Sequence, residues 1–309
     1  MTRPAAPAAP VSAPGPRSAA AYLELCKPKV VAVMIFTAVV GELLAHPLEL
    51  PLRALTFGNL GIAMAAGSAA AINHLLERRI DARMARTHLR PIPAGRIGVS
   101  QALAFAVLLG ATGLALLWLF VNPLTAVLTF ASLIGYGVVY TAFLKRATSQ
   151  NIVIGGLAGA APPLLGWTAV TGRIEALPLL LVTIIFVWTP PHFWPLALHR
   201  QEDYRRAGVP MLPVTHGARH TRWQIFFYTL LLVAITILPA PLGLAGPIYL
   251  AAALTLGGVF QWYAAALLTS ADRSLAMRTF QFSITYILLL FAAFLVDSYA
   301  QALFARGVF

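Results

Sequence analysis

The sequence predicts an all-α, polytopic membrane protein, with about nine transmembrane helices around a central cavity that opens to the cytoplasmic side. Three observations carry this prediction. Of the 309 residues, 59% are hydrophobic and only 10% are charged, and the mean hydropathy of +0.79 excludes an ordinary soluble domain. Apolar stretches of about 20 residues, the length that crosses a bilayer, recur along most of the chain. Acidic and basic side chains gather in connections that fall on one side of the membrane.

The apolar stretches define the helices one by one. We predict spans over about residues 29–46, 54–76, 101–121, 123–144, 152–171, 177–198, 223–243, 247–268 and 280–304. Little more than Asn122 and Pro123 joins the third span to the fourth, so these two are expected to form a tight antiparallel hairpin. Residues 1–20 are rich in alanine and proline and are predicted to be a disordered tail, with no cleavable signal before the first span. Residues 21–309 are predicted to form a single transmembrane domain.

Basic residues predict how the chain is oriented. All but three of the 22 lysines and arginines fall on the side of the N-terminal arm, and the exceptions are Arg53, Arg173 and Arg306. Under the positive-inside rule, the N-terminus is cytoplasmic and the C-terminus lies outside, in a multi-pass protein of the cell inner membrane. The net charge of +12 therefore reflects topology and gives no argument for nucleic-acid binding.

An amide and two carboxylates recur at four-residue spacing where the second span ends, at Asn73, Glu77 and Asp81. On a helix these positions share one face, about 6 Å apart at each step. Magnesium prefers oxygen ligands and keeps phosphate oxygens in its shell, so we predict that the three residues bind Mg²⁺ and a diphosphate. Arginine grips phosphate in forked pairs, and the basic residues predicted to hold the diphosphate are Arg83, Arg86, Arg90, Lys145 and Arg146. For some of these, anchoring in anionic lipid is the alternative.

A second acidic pair, Glu202 and Asp203, lies in the connection after the sixth span. Four spans separate it from the first cluster, so both should lie on the same side of the membrane. Two acidic clusters that face one cavity would hold one magnesium-bound diphosphate from both sides, and only one of Glu202 and Asp203 need face inward. The alternative is that these acids are solvated surface groups, which is the more usual role of carboxylates in a loop.

One histidine, His192, lies inside a predicted span, between Trp188 and Trp194 and directly after two prolines. Ionisable groups at membrane depth are costly, so such a residue usually faces a cavity or a partner. Aromatic walls with one nitrogen ligand suit haem, and His199, one to two turns further along, is a second candidate for a haem contact. The alternative is a hydrogen bond from His192 to a carbonyl that the prolines leave unpaired.

These motifs resemble the UbiA superfamily of intramembrane prenyltransferases. The first motif resembles that family's Asn-x-x-x-Asp-x-x-x-Asp, with Glu77 in place of the middle aspartate. Residues 188–213 are similar to its haem-farnesylating members, and the resemblance covers roughly residues 20–300. A departure is that His199 and Ala207 stand four residues before and after Asp203, where a second acid is often found in the family, so Asp203 lacks a regularly spaced partner.

The resemblance implies an activity. The substrates would be farnesyl diphosphate and haem B, the products haem O and diphosphate, and the cofactor Mg²⁺. Asn73, Glu77, Asp81 and Asp203 would be catalytic, in a domain embedded in the lipid bilayer. A haem A synthase or a terminal oxidase assembly protein would be the partner that receives the product. An allylic cation would be captured by a haem vinyl group, and the aromatic residues whose faces would stabilise it are Tyr136, Tyr140, Phe193 and Trp194.

Two other functions fit part of the pattern. A prenyltransferase acting on an aromatic quinone precursor or a chlorin would share the first acidic motif but would not need His192. A secondary transporter commonly carries charges or broken helices near mid-membrane, whereas here the acids lie at the cytoplasmic margin among arginines.

Overall fold

The computed structural model describes residues 19–84, 87–144, 147–270 and 272–307, and within these residues the protein consists of helices joined by turns, with no strand. We number its α-helices in chain order: α1 Ala19–Leu25, α2 Pro28–Ala45, α3 Asn59–Asp81, α4 Val99–Phe120, α5 Pro123–Ile134, α6 Asn151–Gly159, α7 Pro162–Thr171, α8 Ala176–His199, α9 Gln201–Arg206, α10 Leu212–Thr215, α11 Gly217–Ile237, α12 Pro247–Thr269 and α13 Arg273–Ala305. Two wider, π-helical segments continue these helices, Ala54–Gly58 before α3 and Gly135–Leu144 after α5. The all-α prediction is confirmed.

Eight stretches of the described chain are long and apolar enough to cross a membrane, and each coincides with a predicted span. The protein is therefore a multi-pass membrane protein. The remaining predicted span, 223–243, corresponds to α11, which has 21 residues but carries polar side chains such as His220 and Arg222 in its first turns. It is not among the eight, so the predicted count of nine is not confirmed.

The predicted hairpin between the third and fourth spans is confirmed. Helix α4 ends at Phe120 and α5 begins at Pro123, whose fixed φ suits a first helical turn. Between them, the Asn122 side chain accepts a hydrogen bond from the backbone N–H of Thr125 at 2.9 Å and donates one to the carbonyl of Thr168 at 2.8 Å. One side chain thus caps α5 and ties the turn to α7.

The chain enters its first span through a short helix and a strained residue. Residues 1–18 of the predicted tail lie outside the described part of the chain, and α1 begins at Ala19. Between α1 and α2, Lys27 adopts a left-handed conformation with φ of 50°, which is uncommon for a residue with a Cβ. Pro28 then starts α2. The sharp turn sends the Lys27 side chain back toward α3.

The connections after α3 and after α8 pack together at one end of the bundle, which we call the basic end. Met84, just beyond α3, belongs to the same buried apolar cluster as Trp194 of α8, Tyr204 of α9 and Val209. The sequence prediction that the two acidic regions lie on the same side agrees with this packing. The candidate site is therefore built at the basic end, where α3 and α8 finish.

Candidate active site

The three residues of the first motif lie on the last turns of α3 and are buried. Asn73 is 2% exposed, Glu77 6% and Asp81 2%. Their spacing of four places them along one helix face, as the sequence predicts. Buried carboxylates require opposite charge or hydrogen-bond donors, because their transfer from water is otherwise very unfavourable. The structure supplies both.

Arg90 is the cation that neutralises this face. Its Nη1 donates to both carboxylate oxygens of Asp81, at 2.8 and 2.7 Å, and lies 3.9 Å from Oε2 of Glu77. A turn-rich segment carries the chain from α3 to Arg90, and within it Thr87 donates its hydroxyl to the carbonyl of Asp81 at 3.1 Å. The predicted basic residue Arg90 is therefore in the acidic cluster, as an ion-pair partner.

Asn73 is held by two partners from other elements. The Lys27 ammonium donates to its Oδ1 at 2.5 Å, and its own amide donates to the hydroxyl of Thr141 at 3.2 Å. Thr141 lies in the π-helical segment after α5 and donates in turn to the carbonyl of Tyr136 at 2.8 Å. Such π-helical turns are rare in proteins overall, and those that occur are often found at functional sites. The amide oxygen and the two carboxylates thus lie between two cations, Lys27 and Arg90.

This donor set fits magnesium bound together with a diphosphate. Within the described residues, no three His, Cys, Asp or Glu side chains are grouped closely enough to hold a metal ion by themselves. Magnesium in phosphate chemistry takes only one or two protein carboxylates and fills its octahedron with waters and phosphate oxygens. Glu77 and Asp81 supply that number of carboxylates, and the cations on either side suit the phosphate charge.

The second acidic pair is more exposed than the first. Asp203 lies on α9 with a third of its side chain exposed, 3.6 Å from Nη1 of Arg200. Glu202 pairs with Arg205 and Arg206 on the surface, in agreement with the solvated alternative. The neighbouring Tyr204 is buried. The role of Asp203 stays a prediction.

Two tyrosines of the π-helical segment after α5 stack on each other near the first acidic motif. Tyr140, on the π-helical segment after α5, lies within electrostatic range of both Glu77 and Tyr204. Its ring stacks on that of Tyr136, with centroids 5.6 Å apart and an interplanar angle of 16°. Two of the predicted aromatic residues therefore lie next to the first acidic motif. A third, Trp194, is fully buried and packs edge-on against Tyr228, as a core residue does.

Four further basic residues are predicted to bind the diphosphate. Arg83 is exposed and lies two residues beyond the end of α3. Arg86, Lys145 and Arg146 lie outside the described residues. Their roles stay predictions.

His192 is buried in an aromatic stack between α8 and α13. Trp188 lies against it with a centroid distance of 4.2 Å and an interplanar angle of 15°, and Phe280 with 4.7 Å and 26°. Its Nδ1 is 2.6 Å from the hydroxyl oxygen of Ser283. The alternative of a bond to a carbonyl freed by the prolines is therefore wrong, because the partner is a hydroxyl on another helix. Helix α8 continues through both prolines to His199, whose Nδ1 is 3.0 Å from the carbonyl of Arg273.

Sequence reasoning missed four residues of these two clusters, which are Lys27, Thr141, Phe280 and Ser283. Three of them, Lys27, Thr141 and Ser283, form hydrogen bonds to residues that are 46 to 91 positions away in the chain. Lys27 carried one usable signal, since a lysine before the proline that starts a span sits at the membrane margin, level with the end of α3. A serine or threonine inside an apolar span carries almost none, because such hydroxyls usually bond to their own helix.

Residues 34–302 match the family model described as "UbiA prenyltransferase family". The chain belongs to the UbiA prenyltransferase family. Its relatives include the protoheme IX farnesyltransferase of Alkalilimnicola ehrlichii, which is 61% identical over 276 residues, 89% of this chain and 91% of the relative. That of Stutzerimonas stutzeri is 58% identical over 278 residues, 90% of this chain and 93% of the relative. This family member is therefore a prenyltransferase.

Solved structures share the fold of this UbiA family member. The structure described as that of digeranylgeranylglyceryl phosphate synthase superposes with a TM-score of 0.77 at 21% identity, covering 91% of this chain and 98% of that one. A UbiA homolog from Archaeoglobus fulgidus bound to GPP and Mg²⁺ gives a TM-score of 0.64 at 17% identity, covering 89% of this chain and 99% of that one. At these identities the likeness concerns the helical fold.

Proposed function

We propose that this protein transfers the farnesyl group of farnesyl diphosphate to a vinyl group of haem B, with addition of water, to give haem O and diphosphate. The observation that carries the proposal is its identity of 57 to 61%, over about nine tenths of the chain, to relatives named protoheme IX farnesyltransferase. The buried acidic face of α3, with cations on both sides, supports the diphosphate half of the reaction.

The acidic face would assist departure of the diphosphate. Asn73, Glu77 and Asp81 would hold Mg²⁺, with Asp203 proposed as a further ligand. Magnesium bound there would neutralise the negative charge that develops on the leaving group, which is the kind of preorganised electrostatic help that dominates many catalysed reactions. Arg90 donates to both carboxylate oxygens of Asp81 and so holds that side chain in place. The basic residues proposed to bind the diphosphate oxygens are Arg83, Arg86, Arg90, Lys145 and Arg146.

The carbon chemistry then needs shielding from water more than it needs a general base. The bond between farnesyl C1 and oxygen breaks, and its electron pair leaves with the diphosphate. The π electrons of the haem vinyl group form the new carbon–carbon bond to C1, and water adds to the resulting cation and loses a proton. The stacked rings of Tyr136 and Tyr140, near Glu77, are suited to stabilise a passing cation through their faces.

The haem substrate would be recognised in part by His192. Its ring is held between two aromatic rings, and imidazole is a common haem ligand. His199 is proposed as a second contact nearer the basic end. Its Nδ1 already faces the carbonyl of Arg273, which leaves Nε2 as its ligand atom.

We further propose that the basic end faces the cytoplasm of a cell whose inner membrane holds the protein, with the N-terminus inside and the C-terminus outside. The excess of lysine and arginine on one side supports this orientation. The product would pass to a haem A synthase or to an assembly protein of a terminal oxidase.

Membranes containing the protein, supplied with haem B, farnesyl diphosphate and Mg²⁺, test the proposal. We expect a haem product heavier by one farnesyl group and one water, measured by mass spectrometry. Asp81→Asn should reduce turnover at least a hundredfold, about 2.7 kcal/mol in barrier height, because it removes a carboxylate from the proposed metal site. The matched control is Glu24→Gln, since Glu24 is an exposed acid paired with Arg96 at the same end.

Two outcomes would contradict the proposal. Prenylation of a quinone precursor or a chlorin in place of haem would assign a different acceptor to this site. Turnover by Asp81→Asn within about tenfold of the parent, roughly 1.4 kcal/mol or less, would remove Asp81 from the metal site.

A further inference from the structure

The hydroxyl of Ser283 makes two short contacts, and together they fix where its proton lies. Its Oγ is 2.6 Å from the carbonyl oxygen of Phe280, one turn earlier on α13, and 2.6 Å from Nδ1 of His192 on α8. A carbonyl carries no proton, so two oxygens at 2.6 Å attract each other only if the hydroxyl proton lies between them. Ser283 therefore donates to Phe280, and it has no second proton to give.

The second contact must then be donated by the histidine. A nitrogen 2.6 Å from an oxygen lone pair is favourable only when Nδ1 carries hydrogen, so His192 is the Nδ1–H tautomer and Ser283 accepts from it. In a neutral imidazole the other nitrogen, Nε2, then holds the lone pair. Nε2 has no hydrogen-bond partner among the described residues and is not one of the fully enclosed polar atoms, so it reaches accessible surface.

The same serine also fixes the ring that covers His192. The indole N–H of Trp188 donates to the backbone carbonyl of Ser283 at 2.8 Å, while the Trp188 ring stacks on His192. Phe280, whose carbonyl accepts from Ser283, covers the other face. The indole of Trp188 is thus tied to the backbone of Ser283, Phe280 carries its ring on the same helix, and the imidazole cannot rotate without breaking the stack. Ser283 itself is fully buried.

We propose that Ser283 is a positioning residue for the haem substrate, which holds His192 in the tautomer that presents Nε2 as a ligand to iron. A histidine that ligates a metal almost always donates its other ring N–H to a neighbouring acceptor, which fixes the tautomer and raises the basicity of the ligand. The contact to iron rests on the proposed function. The tautomer assignment does not, because it follows from the two contacts alone.

The tautomer is measured first, on the unaltered, haem-free protein in detergent. Protein labelled with ¹⁵N at its seven histidines should show a His192 signal with Nδ1 protonated and Nε2 unprotonated, identified by its loss in His192→Ala. This measurement requires no serine variant to fold. A His192 signal with the proton on Nε2 would overturn the inference, whether or not the protein makes haem O.

The effect on iron is measured with a matched pair of variants. Ser283→Ala removes the hydroxyl but keeps the backbone carbonyl that accepts from Trp188. Thr279→Val is the control, because Thr279 is equally buried, one turn earlier on α13, and its hydroxyl donates to the carbonyl of Leu275 of the same helix at 2.8 Å. Ser283→Ala should weaken haem binding about tenfold or more. It should also shift the iron–imidazole stretching band of the ferrous complex to lower frequency, since the imidazole becomes a weaker donor.

The outcomes separate the inference from the proposed function. If the parent makes haem O and His192→Ala loses the stretching band, but Ser283→Ala binds haem like Thr279→Val with an unshifted band, the positioning role is wrong and the function stands. If membranes that contain the protein form no haem O when both substrates and Mg²⁺ are supplied, the proposed function is wrong. The ¹⁵N signal then still decides the tautomer. The proposal is supported if Ser283→Ala loses affinity for haem and shifts the stretching band while Thr279→Val does neither.

Discussion

Two arginine–carboxylate pairs of the same length occur at the basic end, and their surroundings give them different energies. Arg90 approaches Asp81 to 2.7 Å and Arg96 approaches Glu24 to 2.7 Å. The Asp81 side chain is 3% exposed, whereas that of Glu24 is 43% exposed. Water screens the second pair, and exposed pairs contribute little to stability. Little water reaches Asp81, so the loss of Arg90 would leave a buried charge unpaired. The first pair therefore contributes more to the stability of the folded protein than the second.

We therefore expect Arg90→Ala to destabilise the protein by about 3 kcal/mol, because it leaves a buried carboxylate without its cation. Arg96→Ala should cost less than about 1 kcal/mol. Unfolding of both variants in detergent, followed by circular dichroism against temperature, gives the comparison. Equal melting temperatures for the two variants would contradict it.

A double variant separates the charge from the size of the arginine. Adding Asp81→Asn to Arg90→Ala removes the unpaired charge, so it should recover part of the lost stability although activity stays lost. If the double variant is no more stable than Arg90→Ala, the arginine stabilises the fold by packing and not by charge, and the ion-pair argument fails.

At the scale of elements, α2 and α7 cross with their backbones in contact. A Cβ placed on Gly41 would lie 2.1 Å from the carbonyl oxygen of Pro163, and one on Gly166 would lie 2.0 Å from that of Ala38. Each helix thus presents a glycine to the backbone of the other, as membrane helices do where they approach most closely. Because Lys27 directly precedes α2, this crossing also helps to determine where its ammonium lies relative to Asn73.

Gly166→Ala should therefore push α2 away from α7. Overpacking costs about 1–3 kcal/mol, and we expect the upper end because the obstacle is backbone and not a flexible side chain. Gly258→Ala on α12 is the control, since a Cβ there meets nothing within 4 Å and alanine favours the helix by about 1 kcal/mol. Detergent melting temperatures and the yield of folded protein should fall for the first variant and not for the second. If Gly166→Ala leaves the melting temperature and the yield unchanged, α2 and α7 are free to separate.

Local patterns predicted much of this molecule, and contacts between distant elements account for what they missed. The four-residue spacing placed Asn73, Glu77 and Asp81 on one face, and the turn residues Asn122 and Pro123 predicted the hairpin. The sequence could not show that Lys27 turns back onto Asn73, because this depends on a left-handed residue and on helix packing. It also could not show that Ser283 bonds to His192, since that register between α8 and α13 is decided by the whole bundle.

The distribution of charge over the whole molecule indicates how many times the chain crosses the membrane. With 21 residues, α11 is about 31 Å long, enough for a hydrocarbon core of about 30 Å. It packs against α8 and α12, both of which are candidate spans. Helix α12 is a candidate span, so Arg222 at the start of α11 and Arg273 at the start of α13 lie on the same side only if α11 crosses as well. We therefore expect nine crossings, although α11 is less apolar than the other eight.

Reporters that distinguish the two sides of the membrane test this count. A reporter placed after Arg206 should lie inside the cell, and reporters placed after Arg173, after Gly243 or at the C-terminus should lie outside. The Gly243 position is decisive, because it follows α11 and comes before α12. If α11 did not cross, reporters at Gly243 and at the C-terminus would both lie inside, while those at Arg173 and Arg206 would keep their sides. That result would leave eight spans and would place α11 along the membrane surface at the basic end.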